Sequence, residues 1–112
     1  MAALLNQPYL QPATLKRALA ILPQRSWEIA LEHFNHVADA HSHDTLIIRY
    51  RFRNALWYEI DETLTFDNRL VAVRPDTDEE KRIRLTVQGL FRKSAYLITI
   101  CHEKARITEI RL

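Results

Sequence analysis

The sequence predicts an α+β fold, with two N-terminal helices packed on one face of a curved antiparallel meander sheet of about five to seven strands. Three observations predict it. Apolar residues recur at helical spacing up to position 41 and at a spacing of two from position 45 onward. No helix-length crossover remains after residue 44, so the strands must be joined by short turns and run antiparallel. A chain of 112 residues, 47% hydrophobic and 27% charged, has the make-up of one globular domain. A chain of that length buries roughly two-thirds of its unfolded surface.

Residues 1–11 read as an irregular lead-in with Pro8 and Tyr9, and 12–41 as the helical part. Pro12 suits a first helical turn, and Leu15, Ala18, Leu19 and Leu22 follow at helical spacing before Pro23 stops the run. Ser26 can cap a second helix whose stripe is Trp27, Ala30, Leu31, Phe34, Val37 and Ala38, ending near Asp39 or His41. The sheet then occupies 45–112. Leu46, Ile48, Tyr50 and Phe52 alternate with Thr45, Ile47, Arg49, Arg51 and Arg53, and Leu56, Tyr58, Ile60, Leu64 and Phe66 keep the same parity. A single strand of that length would span roughly 70 Å at ~3.3 Å per residue, so the chain must bend, near Asn54 and near Glu62. Asp67-Asn68 fits a tight hairpin that switches parity and brings Val71 and Val73 into the core. An acidic loop, "RPDTDEE", leads to three further strands: Ile83, Leu85 and Val87, then Tyr96, Ile98 and Ile100, then Ala105 and Ile107 after a turn at Glu103-Lys104. In this helix-then-meander order the chain resembles cystatin-like and nuclear-transport-factor-like proteins, without a shared motif.

Several chemistries are excluded by composition. Gly89 is the sole glycine, whereas phosphate-cradling loops, dinucleotide fingerprints and nucleophile elbows each need several. Cys101 is alone, so there is no intramolecular disulfide and no cysteine-rich zinc site, which points to a reducing cytoplasm. The start "MAALLNQPYLQPATLKR" lacks the pattern of a signal peptide, and no stretch is long enough to span a membrane. A net charge of +2 does not by itself indicate a nucleic-acid binder.

Three groups of residues carry candidate function. "HFNHVADAHSHD" gathers His33, His36, His41, His43 and Asp44, but no ligand spacing of an established metal motif, and the polar exit of a helix explains it better. No metal and no cofactor is implied; adventitious metal binding is the alternative. The second group is the sheet face opposite the core. Arg49, Arg51, Arg53 and Trp57, with Ile47, Glu59 and Asp61, should share it with Leu70, Ala72, Arg74, Arg82, Arg84, Leu97 and Arg106. Twelve of sixteen basic residues are arginine, which forks onto carboxylates and phosphates and stacks on rings. The third group is Tyr50, Tyr58 and Tyr96, which could line a pocket between helix and sheet.

The expected function is therefore a small non-enzymatic binding protein using the Arg/Trp face, as a homodimer or with another protein, and with no membrane partner. One alternative is a single-stranded nucleic-acid module on the same face. Another is a small enzyme at the tyrosine pocket or an RNA-cleaving toxin, whose general architecture the chain resembles, using Tyr96, His102, Arg92 and Lys93. Cys101 and His102 are adjacent on a strand and so point apart, a poor nucleophile–base pair, and Asp76, Asp78, Glu79 and Glu80 lack calcium-loop spacing.

Overall fold

A computed structural model describes residues 11–39, 41, 44–75, 79–102 and 104–110. Among these it has one helix, α1 (Pro12–Ile21), and eight strands: β1 (Ala30–Ala38), β2 (Thr45–Arg53), β3 (Trp57–Ile60), β4 (Thr63–Thr65), β5 (Arg69–Val73), β6 (Lys81–Gln88), β7 (Lys93–Cys101) and β8 (Lys104–Ile110). The fold is mixed α+β and mostly antiparallel. A first sheet runs β1-β2-β5, a second β4-β3-β6-β7-β8, and every pairing is antiparallel. The expectation of two helices on a single sheet is corrected on both counts.

The segment expected as a second helix is the strand β1, and a bulge gives it a helix-like spacing. β1 pairs with β2 in a register that slips between Leu31 and His33. A bulge inserts one unpaired residue and shifts the phase of everything beyond it. The register thus puts Leu31 before the bulge and Phe34, His36 and Ala38 after it on one face, opposite Phe52, Tyr50, Ile48 and Leu46, and of these four Phe34 is the one that packs against the core. Spacings of three and four between Leu31, Phe34 and Ala38 then imitate a helical stripe, although the backbone is extended.

The even-numbered residues of β2 form the core as their alternation predicts: Leu46, Ile48, Tyr50 and Phe52 are each no more than 4% exposed. They meet Ile83, Leu85, Val87, Tyr96, Ile98 and Ile100 of the second sheet in one apolar cluster. Each such side chain removed from water contributes about 1.5–3 kcal/mol. The expected pocket of Tyr50, Tyr58 and Tyr96 is this same packing. All three are buried in an aromatic cluster, with ring centroids 4.9 Å apart for Tyr50–Tyr58 and 4.7 Å for Phe52–Tyr96.

β2 passes to β3 of the other sheet through a corner at Asn54, where φ is 64°. The Asn54 amide donates to the carbonyls of Ser26 and Glu28, tying the approach to β1 into the corner. Gly89 lies against it: an added Cβ would come within 3.2 Å of the Asn54 carbonyl oxygen and 3.1 Å of Ile29. The hairpin tip is Asp61-Glu62, both at positive φ (46° and 75°), the geometry of a two-residue primed turn between Ile60 and Thr63. The parity switch therefore falls there and not at Asp67-Asn68. It reverts through residues 66–68, so Leu70 and Ala72 are buried, while Val71 and Val73 are exposed. The last turn opens at His102, with φ 56°, one residue ahead of expectation; Glu103 lies outside the described residues.

α1 docks by an unexpected face. Leu15, Leu19 and Leu22 are exposed, and the contact is made by Ile21 and Ala18 against Leu56, Trp57 and Phe66. Arg17 fixes it, its guanidinium donating to the carbonyls of Leu56 and Phe66, each at 2.8 Å, and lying 5.6 Å over the Phe66 ring. Those two carbonyls belong to the bend in each leg of the hairpin, so one planar fork holds both.

Candidate functional site

Alternation within β2 sends Arg49, Arg51 and Arg53 to the outside of the first sheet. The register then arranges that face in rows. Asn35, Arg49 and Arg69 are neighbours across β1, β2 and β5; Val37, Ile47 and Val71 form the next row; His33 faces Arg51. Val73, outside Thr45, extends the aliphatic row at the β5 edge. The result is an apolar strip of half-buried Ile47 and exposed Val37, Val71 and Val73 beside three exposed arginines.

Arg49 and Arg69 stand directly opposite one another, an arrangement that costs rather than contributes stability when no counter-ion is near. Arg53 has Glu32 at 3.9 Å, but among the described residues no carboxylate lies within ion-pair distance of Arg49, Arg51 or Arg69. Three guanidiniums are thus presented to solvent with their hydrogen-bonding forks open.

The remaining residues expected on this face are elsewhere. Arg82, Arg84 and Arg106 sit on the outside of the second sheet, across the core from Arg49, Arg51 and Arg53. Arg82 and Arg106 both reach Glu80, at 3.7 and 3.5 Å, over Thr99, which lies between them in register and is buried. Lys93 pairs with Glu59 at 3.8 Å. Trp57 is 4% exposed beneath α1, so it offers no surface. Leu70 and Ala72 belong to the core, and half-buried Arg74 follows β5, its N–H donating to the Asp44 carbonyl. The single Arg/Trp face is thus divided between opposite sides of the molecule. Arg69 and Asn35, which complete its first-sheet half, escape sequence reading because each depends on a register: the true place of the parity switch and the β1 bulge.

The histidines do not gather. His33 and His36 are both exposed and lie on opposite faces of β1, while exposed His41 donates its backbone N–H to the Asp39 carboxylate. His43, with Asp76 and Asp78, lies outside the described residues. His36 does help line an open cleft of about 970 Å³ at the end of the two sheets, with Asp44, Arg74, Cys101, His102 and Lys104. Cys101 is a half-buried free thiol there, without a hydrogen bond to either histidine. Among the described residues no three histidine, cysteine or acidic side chains come together as metal ligands, and no helix is long and apolar enough to cross a membrane.

Burial raises the pKa values of the three buried tyrosines above their ordinary value. Burial pushes the Tyr50 hydroxyl well above its ordinary value of 10.0, with Tyr58 and Asp67 adding to the shift. Burial likewise raises Tyr58 and Tyr96. They are packed as neutral phenols, and the Tyr50 hydroxyl donates to the Asp67 carbonyl.

The class this defines is a small two-sheet antiparallel domain with a helix at one corner and a basic, aliphatic outer face. No protein-family model, curated protein or solved structure matches the chain.

Proposed function

We propose that the chain is a small non-enzymatic interaction protein, which binds an acidic, aliphatic segment of a partner protein on the outside of its first sheet. The observation that carries this reading is the Arg49–Arg69 pair, set side by side with no carboxylate of the described residues in reach. Partner carboxylates would take the guanidinium forks two bonds at a time. Aliphatic partner side chains would cover Val37, Ile47 and Val71, reproducing the apolar centre and arginine-bearing rim of protein interfaces. The chemistry of the face favours protein over single-stranded nucleic acid. Bases need aromatic platforms, and the aromatic residues of this sheet, Phe34, Tyr50 and Phe52, all face the core.

Titration with a peptide alternating glutamate and leucine tests the reading. The peptide should bind the wild-type chain, with an affinity that falls as salt rises, and should not bind a variant carrying Arg49→Glu and Arg69→Glu. Equal binding by wild type and variant would remove the basic face from the account. Tighter, salt-sensitive binding of a single-stranded oligonucleotide than of the peptide would transfer the face to nucleic acid.

A further inference from the structure

β5 forms one edge of the first sheet, with β2 on its inner side and no described strand on its outer side. The opposite edge, β1, runs close to β8. Edge strands are usually blunted by charged side chains, a proline, a bulge or a very short length. β5, Arg69–Val73, has neither proline nor bulge, its one charged side chain stands at its first residue, and Val71 and Val73 are 57% and 60% exposed.

The phase of its backbone is set by two bonds. Tyr50 N–H donates to the Asn68 carbonyl and Arg74 N–H to the Asp44 carbonyl. Even-numbered residues of this segment therefore turn their polar backbone groups toward β2. Those of Arg69, Val71 and Val73 turn to the open edge, because successive residues of a strand address opposite sides.

We infer that this edge is a self-pairing site, at which β5 joins β5 of a second copy antiparallel about a two-fold axis at Val71. The register is self-consistent. Val71 meets its own counterpart, Arg69 meets Val73, and about six backbone hydrogen bonds close between the odd-numbered residues. The charges are compatible as well. Each Arg69 lies across from a valine, with the two guanidinium-bearing positions offset by roughly 13 Å along the strand, beyond the ~8 Å screening length. Neighbouring registers fail. Centring on Arg69 sets that arginine against itself, and centring on Val73 sets Pro75, which has no N–H, against Val71. Pairing joins the first sheets into β1-β2-β5-β5-β2-β1 and runs the Val37–Ile47–Val71 row unbroken across both copies. It uses the strand edge and not the sheet's outer face, so it stands independently of the partner proposed above.

Sedimentation equilibrium over a range of concentrations should show the mass of the chain rising to twice the monomer value. Val71→Lys, at an exposed position where the fold tolerates a polar side chain, should hold it at the monomer mass with an unchanged circular dichroism spectrum. Leu19→Glu on α1 should leave the dimer intact. In a Cys101→Ser background, Val71→Cys should give a covalent dimer under oxidised glutathione, since facing residues of such a pair have Cα atoms about 5.5 Å apart. A wild-type chain that stays monomeric overturns the inference, as does a Val71→Cys chain that gives no covalent dimer, a dimer that survives Val71→Lys, or one that is lost in Leu19→Glu.

Discussion

The outer faces of the two sheets carry similar residues and treat them differently. On the second sheet, the end near β3 is roofed by α1, which buries Trp57, and at the other end Arg82 and Arg106 converge on Glu80. On the first sheet, Arg49, Arg51 and Arg69 stand among exposed valines with no carboxylate among the described residues in ion-pair reach. On the second sheet Arg82 and Arg106 share a carboxylate, whereas on the first only Arg53 has one, among the described residues. Arginine content alone therefore says little about binding; what separates the faces is whether the register brings an acid alongside.

The covered end should give the largest mutational effect. Trp57→Ala removes a ring packed against Ile21 and Leu56 and should cost about 3–5 kcal/mol in a denaturant melt. A loss below about 1 kcal/mol would mean that α1 does not roof this sheet and that the faces are alike. Next comes Arg17→Ala, which orphans the carbonyls of Leu56 and Phe66 and should cost about 2–3 kcal/mol. Arg17→Lys should recover only part of this, because one ammonium cannot fork onto both carbonyls.

Alkaline titration probes the core between the faces. Tyr50, Tyr58 and Tyr96 have folded-state values raised above the ordinary 10.0, chiefly by burial. The native state then holds protons that the unfolded chain releases, so their contribution is intact below pH 10.0 and is lost as pH rises beyond it. Thermal melting should fall steeply above that pH, and Tyr50→Phe should soften the fall. Unchanged stability on the alkaline side would place the phenols in solvent.

Much of the sheet region was legible in the sequence, because strict alternation has one reading: Leu46, Ile48, Tyr50 and Phe52 are core, and Arg49, Arg51 and Arg53 are surface. Three features were not. β1 hid behind its bulge, since one extra residue turns a period of two into spacings of three and four. Trp57 read as an outward residue of an open sheet, and nothing local reveals that α1 covers it through Arg17, a charged side chain whose partners are backbone carbonyls distant in sequence. A tight turn read at Asp67-Asn68, where turn-forming residues are conspicuous, exchanges Leu70 and Ala72 with Val71 and Val73 and leaves Arg69 off the candidate face; the backbone takes positive φ at Asp61-Glu62 instead. The candidate face was thus half visible: its β2 arginines followed from alternation, its β5 arginine only from pairing.

The most direct test of the contrast is a pair of charge reversals with opposite expected signs, measured by denaturant unfolding at low salt. Arg69→Glu places a carboxylate across from Arg49, replacing repulsion with attraction, and should raise stability by about 0.5 kcal/mol. Arg106→Glu removes one partner of Glu80 and adds a like charge beside it, and should lower stability by a similar amount, about 0.5 kcal/mol. Both changes should shrink as salt is added. Arg69→Glu destabilising the chain as Arg106→Glu does would show that Arg69 is already neutralised in the folded protein, and the distinction between an open face and a completed one would fall.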